Sequence, residues 1–153
     1  MAKKKWGVVP YRMRNGFVEV LLITTHNDNW ALPKGNLVKK LGAKRTALLE
    51  AYEEAGVLGS LKGQGKVFGK GRARTIHFYP MEVEEELKIW PEKNKRLRRW
   101  VTPSEAQRIL KHKKHRKAVT KLTAYTQINL RKVRPERGIL KVQIPALSNA
   151  HVA

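Results

Sequence analysis

Two apolar runs open the chain, Lys5 to Met13 and Phe17 to Thr25, on either side of the dipeptide Asn15-Gly16. Asn-Gly accepts the positive φ of a tight two-residue turn, so this pattern predicts a β-hairpin. The second run, FVEVLLIT, is almost continuously apolar, which predicts a strand buried on both faces. The period then changes. From about Gly42 or Ala43 to Ala55, the positions Ala47, Leu48, Ala51 and Ala55 recur at helical spacing, and Gly56 stands where a helix C′ glycine belongs.

Glycines at 59, 63, 65, 69 and 71 punctuate a basic connection with a short strand expected at Lys66 to Phe68. Arg74 to Val83 reads as another strand, in which Pro80 argues for an edge or a bulge. Four glutamates between Glu82 and Glu86 mark its end, and Arg98 to Thr102 form a further short strand. Thr102 or Ser104 can cap a helix from Pro103 to Leu110, with proline at N1 and Glu105 in the first turn. A last helix, from about His115 to Tyr125, carries Ala118, Val119, Leu122 and Tyr125 at helical spacing. Interleaved strands and helices without a repeat predict the α+β class. The division expected is one domain over residues 1–125 and an extension over 126–153, whose alternating INLRKV and ILKVQI segments add strands or stay partly disordered.

Composition narrows the chemistry. A chain of 153 residues suits one sizeable core. It has no cysteine, which excludes disulfides and thiolate metal sites and points to a reducing, cytoplasmic setting. No apolar run approaches the roughly 20 residues that cross a bilayer. Thirty-three Lys and Arg against 12 Asp and Glu give a net charge of +21, a field that gathers polyanions. Nucleic acid, polyphosphate, inositol phosphates and anionic membrane are all partners of that kind, whereas neutral or cationic substrates are disfavoured.

In so basic a chain, three glutamates on one helical turn stand out. Glu50, Glu53 and Glu54 lie at i, i+3 and i+4, a spacing at which like charges weaken a helix. A hard divalent cation such as Mg²⁺ or Mn²⁺ relieves that repulsion; a solvated acidic face is the bland alternative. His112 and His115, three apart, are ringed by lysines that oppose a second cation, so they make a poor metal pair.

The stretch from Gly35 to Val57, GNLVKKLGAKRTALLEAYEEAGV, resembles the signature loop–helix–loop of the Nudix hydrolases. Gly35, Glu50, Ala51, Glu53, Glu54, Gly56 and Val57 fall on that pattern. Leu41 stands where the family has Glu, and Leu49 where it has Arg, a pair expected to brace the loop. Joint replacement of both partners by apolar groups is often neutral, whereas loss of one strands a charge. WALPKG, RTIHFY, IWPEKNKRLRRWVT and SEAQRIL extend the likeness towards the dinucleoside polyphosphate and diphosphoinositol polyphosphate hydrolases.

The resemblance implies an α/β/α sandwich with a mixed sheet, and metal-assisted hydrolysis of a pyrophosphate bond in a nucleoside, dinucleoside or inositol polyphosphate. Carried over, Glu50, Glu53 and Glu54 are the catalytic and metal-binding carboxylates, Glu92 is an added ligand from a later loop, and the cofactor is Mg²⁺ or Mn²⁺. Lys34, Gly35, Arg12 and Arg74 are the expected substrate contacts. The two departures motivate a second reading, a weak or inactive Nudix-fold module that binds RNA or another polyanion.

Overall fold

The computed structural model describes residues 4–69 and 74–127. Strand β1 (Lys4–Arg14) and β2 (Phe17–Thr24) form the expected hairpin. Asn15 and Gly16 both take positive φ, 53° and 82°, the geometry of a two-residue primed turn. Val20, Leu21, Leu22 and Ile23 of β2 are all essentially inaccessible, so the strand is covered on both sides.

After β3 (Trp30–Ala31) and β4 (Lys34–Gly35), helix α1 (Gly42–Glu50) runs into a π-helical turn over Ala51–Ala55. The sequence had suggested one uninterrupted helix. The later elements are β5 (Val57–Leu61), β6 (Lys66–Phe68), β7 (Thr75–Glu86), β8 (Arg98–Val101), α2 (Pro103–Ile109) and α3 over 113–127. Thr102 caps α2, its side chain accepting the Glu105 N–H, with Pro103 at the start.

The strands form one mixed sheet, ordered β3-β2-β1-β7-β5, with β4 on β1, β6 on β7 and β8 on β2. β1 and β7 run parallel; the other pairs are antiparallel. Pro80 corrects a local expectation, because β7 is an interior strand flanked by β1, β5 and β6. β7 exchanges partners around this residue, pairing with β6 up to Phe78 and with β5 from Met81. The missing N–H falls in the gap between the two ladders, and the Pro80 carbonyl still accepts the Lys62 N–H at 2.8 Å. The bulge lies further along β7, where Leu58 and Gly59 of β5 face Glu85 and Val83 and leave Glu84 as the extra residue.

Side-chain alternation divides the core into two layers. Val9, Tyr11, Val20 and Leu22 pack with Ala106, Leu110, Ala118, Val119 and Leu122 of α2 and α3. Val8, Leu21 and Ile23 point the other way, onto Ala47, Ala51 and Ala55. The result is the helix–sheet–helix sandwich expected of an α+β chain. Met1–Leu122 make one compact unit. The strands suggested by INLRKV and ILKVQI lie outside the described residues.

Candidate active site

Glycine makes the site possible at two points. Gly56 ends the π turn in the left-handed region at φ 65°, and a Cβ there would lie 2.6 Å from the Trp90 ring and 2.7 Å from Arg98 Nη1. At Gly35 a Cβ would lie 2.1 Å from the Glu50 carboxylate, so β4 reaches the acidic helix only through glycine. The connecting loop is held by Thr46, fully buried on α1. Its hydroxyl accepts the Val38 N–H at 3.1 Å and donates to the Val38 carbonyl at 3.4 Å. Leu41 and Leu49 are half-buried and leave that bracing to Thr46.

The π turn separates three carboxylates that an α-helix would keep on one face. Glu54 turns inward and is buried, while Glu50 and Glu53 stay half-buried. Both Glu54 oxygens are occupied: Oε1 accepts the Lys34 N–H at 3.0 Å and Oε2 accepts Arg96 Nη2 at 2.8 Å. Arg96 also donates Nε to Glu92 Oε1 at 2.7 Å and Nη1 to the Thr24 carbonyl at 2.8 Å. Two more bonds tie the Glu92 loop to the turn: the Glu92 N–H donates to the Glu53 carbonyl at 3.0 Å, and Trp90 Nε1 to the Glu54 carbonyl at 3.2 Å. Arg98 stacks over Trp90 at 3.9 Å and donates to the carbonyl of Ala55.

The side-chain carboxylates of Glu50 and Glu53 accept no hydrogen bond and form no ion pair among the described residues. Burial raises the Glu50 pKa, and repulsion from Glu53 and Glu92 raises it further. Burial also pushes Glu54 up to about 7, outweighing the attraction of Arg96. The Lys34 ammonium is lowered by burial, against the pull of Glu54.

No three His, Asp or Glu side chains among the described residues already surround one ion-sized point. The donor chemistry nevertheless suits a hard divalent cation, since unpartnered carboxylate oxygens repel one another across the turn. Glu50, Glu53 and the second oxygen of Glu92 are the donors left open; Glu54 joins them only by releasing Arg96.

The expected substrate contacts separate. Lys34 and Gly35 lie at the carboxylates, Lys34 within electrostatic reach of Glu54 and Glu50. Arg12 is already engaged, with Nε 2.7 Å from Glu19 and its guanidinium 4.1 Å from the Trp100 ring centre. Arg74 precedes β7, and its carbonyl accepts the Lys114 ammonium, which ties it to α3. His115 is no ligand: buried in the core, its Nδ1 accepts the Leu32 N–H at 3.0 Å. Arg96 and Thr46 were missed by the sequence reading. The only local signal was the i, i+4 spacing of Glu92 and Arg96.

Known proteins resemble this chain in sequence and in fold. Nudix hydrolase 21, chloroplastic, of Arabidopsis thaliana is 37% identical over 123 residues, covering 74% of this chain and 62% of that protein. Diphosphoinositol polyphosphate phosphohydrolase 2 of Mus musculus is 32% identical over 100 residues, covering 60% and 54%. The chain thus spans about three fifths or less of the length of these curated relatives. A Caenorhabditis elegans Ap4A hydrolase shares the fold at a TM-score of 0.68 with 18% identity, covering 82% of this chain and 98% of that one. The NUDIX domain profile matches residues 1–122, and the chain belongs to that family.

Proposed function

We propose that this chain hydrolyses a phosphoanhydride bond in a nucleoside, dinucleoside or inositol polyphosphate with the help of a divalent cation. The observation that carries the reading is the pair Glu50 and Glu53, left without partners where the neighbouring Glu54 and Glu92 are both bonded. Carboxylates kept open and mutually repelling cost stability, and a site that takes up positive charge makes use of that cost. Glu50, Glu53 and Glu92 would hold Mg²⁺ or Mn²⁺, with Glu54 joining on release of Arg96. When bound, such an ion neutralises phosphate charge and lowers the pKa of water.

The protein side of the reaction follows from the placement of the side chains. Lys34, beside Gly35, steers and holds a phosphate. Glu50, whose pKa is raised, takes the proton of the water that attacks phosphorus, and the bridging oxygen departs with the other phosphate group. The Trp90–Arg98 stack and the Arg96 bonds keep the Glu92 loop seated against the turn. The net charge supports a polyanionic substrate, the mouse relative's name supports an inositol polyphosphate among the candidates, and the lack of cysteine supports a cytoplasmic setting.

A phosphate-release screen tests the proposal, with Mg²⁺ or Mn²⁺ and nucleoside diphosphates, dinucleoside polyphosphates, inositol pyrophosphates and capped RNA. Turnover of one class, lost in Glu53→Gln, is expected. Metal-dependent binding with no turnover of any class would leave a Nudix-fold binding module instead.

A further inference from the structure

Charge is segregated in this chain. Residues 106–127 contain no aspartate or glutamate and seven lysines and arginines. None of the seven is ion-paired among the described residues. The nearest acid, Glu105, is taken by Arg99. Helix α3 buries Ala118, Val119 and Leu122 against the sheet, so Lys113, Lys117 and Lys121 form its outward stripe, and all three are exposed. Their stems climb the axis in steps of about 6 Å, close to the spacing of successive phosphates along a nucleic-acid strand. Like charges at i, i+4 weaken a helix, and no carboxylate on α3 offsets them.

The helix is firmly seated. Gln107 of α2 donates to the Arg116 carbonyl at 2.9 Å and to Thr120 Oγ1 at 3.1 Å, and the Leu32 N–H bonds His115. The lysine row is therefore a fixed feature of the surface. It lies on the opposite side of the sheet from α1 and its glutamates.

Other partners suit this face badly. A helix lying on a membrane buries apolar side chains in the lipid, yet no large hydrophobic side chain between residues 98 and 127 is exposed. Protein interfaces are depleted in lysine and anchored by aromatic or apolar groups, and residues 113–122 expose none. What remains is a ligand recognised through repeated negative charge alone.

We propose that the outward face of α3 binds the phosphodiester backbone of a single-stranded nucleic acid through Lys113, Lys117 and Lys121. Residues 113–122 contain no Phe, Tyr or Trp that could stack on a base, so binding is indifferent to sequence. This surface does not depend on turnover at the glutamates, and either can fail without the other.

The test uses the full chain and a fluorescent single-stranded RNA of mixed sequence, with the dissociation constant followed against salt. Each phosphate neutralised contributes about −0.7 to the slope of log K against log salt. The triple variant Lys113→Gln, Lys117→Gln, Lys121→Gln is expected to flatten the slope by about 2 and to weaken low-salt binding at least tenfold. The matching Lys→Arg triple should keep the wild-type slope. A charge-matched control, Lys39→Gln, Lys40→Gln, Lys44→Gln, removes exposed lysines from the α1 side. An equal flattening in this control would overturn the proposal in favour of diffuse attraction by net charge. So would no RNA binding by the wild type, or binding to phosphatidylserine vesicles without binding to RNA.

Discussion

Arg96 Nη2 stands 2.8 Å from Glu54 Oε2, joining residues from separate elements in a largely buried pair. The guanidinium bonds Glu92 and the Thr24 carbonyl as well, so one side chain fastens the acidic turn, the Glu92 loop and the end of β2. Glu54→Gln deletes one of the two carboxylate partners of Arg96 and leaves the Glu92 pair, and is expected to cost about 2 kcal/mol in urea unfolding. Glu50→Gln removes an unpartnered, repelled carboxylate and should leave stability at neutral pH unchanged or higher, while abolishing hydrolysis. Equal destabilisation by both substitutions would contradict this division of roles.

Acid stability should depend on His115. Burial pushes its pKa down to about 3, helped by Lys34, because the core holds the ring neutral with Nδ1 accepting the Leu32 N–H. Unfolding lets the ring bind a proton near pH 6.5. The unfolded state thus carries more protons between these values, and stability from this group is present above pH 6.5 and drains away as pH falls towards 3. His115→Gln keeps an acceptor without a titrating ring. Its stability should therefore fall less steeply than that of the wild type over this range, measured by denaturation at a series of pH values. Parallel curves would contradict the assignment.

Gly35 separates function from folding. A methyl group there would meet the far end of the flexible Glu50 side chain, which can swing aside. Gly35→Ala should melt within a few degrees of the wild type but lose activity by about the 10²-fold or more typical of a displaced catalytic base. A large drop in melting temperature with activity retained per folded molecule would contradict this reading.

Legibility followed the range of each interaction. The β1–β2 hairpin was readable because Asn15-Gly16 and the flanking apolar runs encode it locally. The clustering of Glu50, Glu53 and Glu54 was readable from spacing, and their expected role only from the resemblance of the surrounding motif. The π turn was not, since Ala51 and Ala55 satisfy the α-helical period equally well. Arg96 stayed hidden because it is one of 33 cations and meets Glu54 across 42 positions of sequence. Pro80 misled for a related reason: a rule about isolated edges does not see β7 exchanging β6 for β5. Thr46 looked like an ordinary helical threonine until the fold set its hydroxyl beside Val38.

Calorimetric titration of Mn²⁺ into the wild type and a Glu50→Gln, Glu53→Gln double variant bears most directly on the account. Saturable binding heat in the wild type, absent from a variant that still melts cooperatively, is the expected result. A wild type that takes up no ion, or a variant that binds as tightly, would show that these carboxylates are not a metal site.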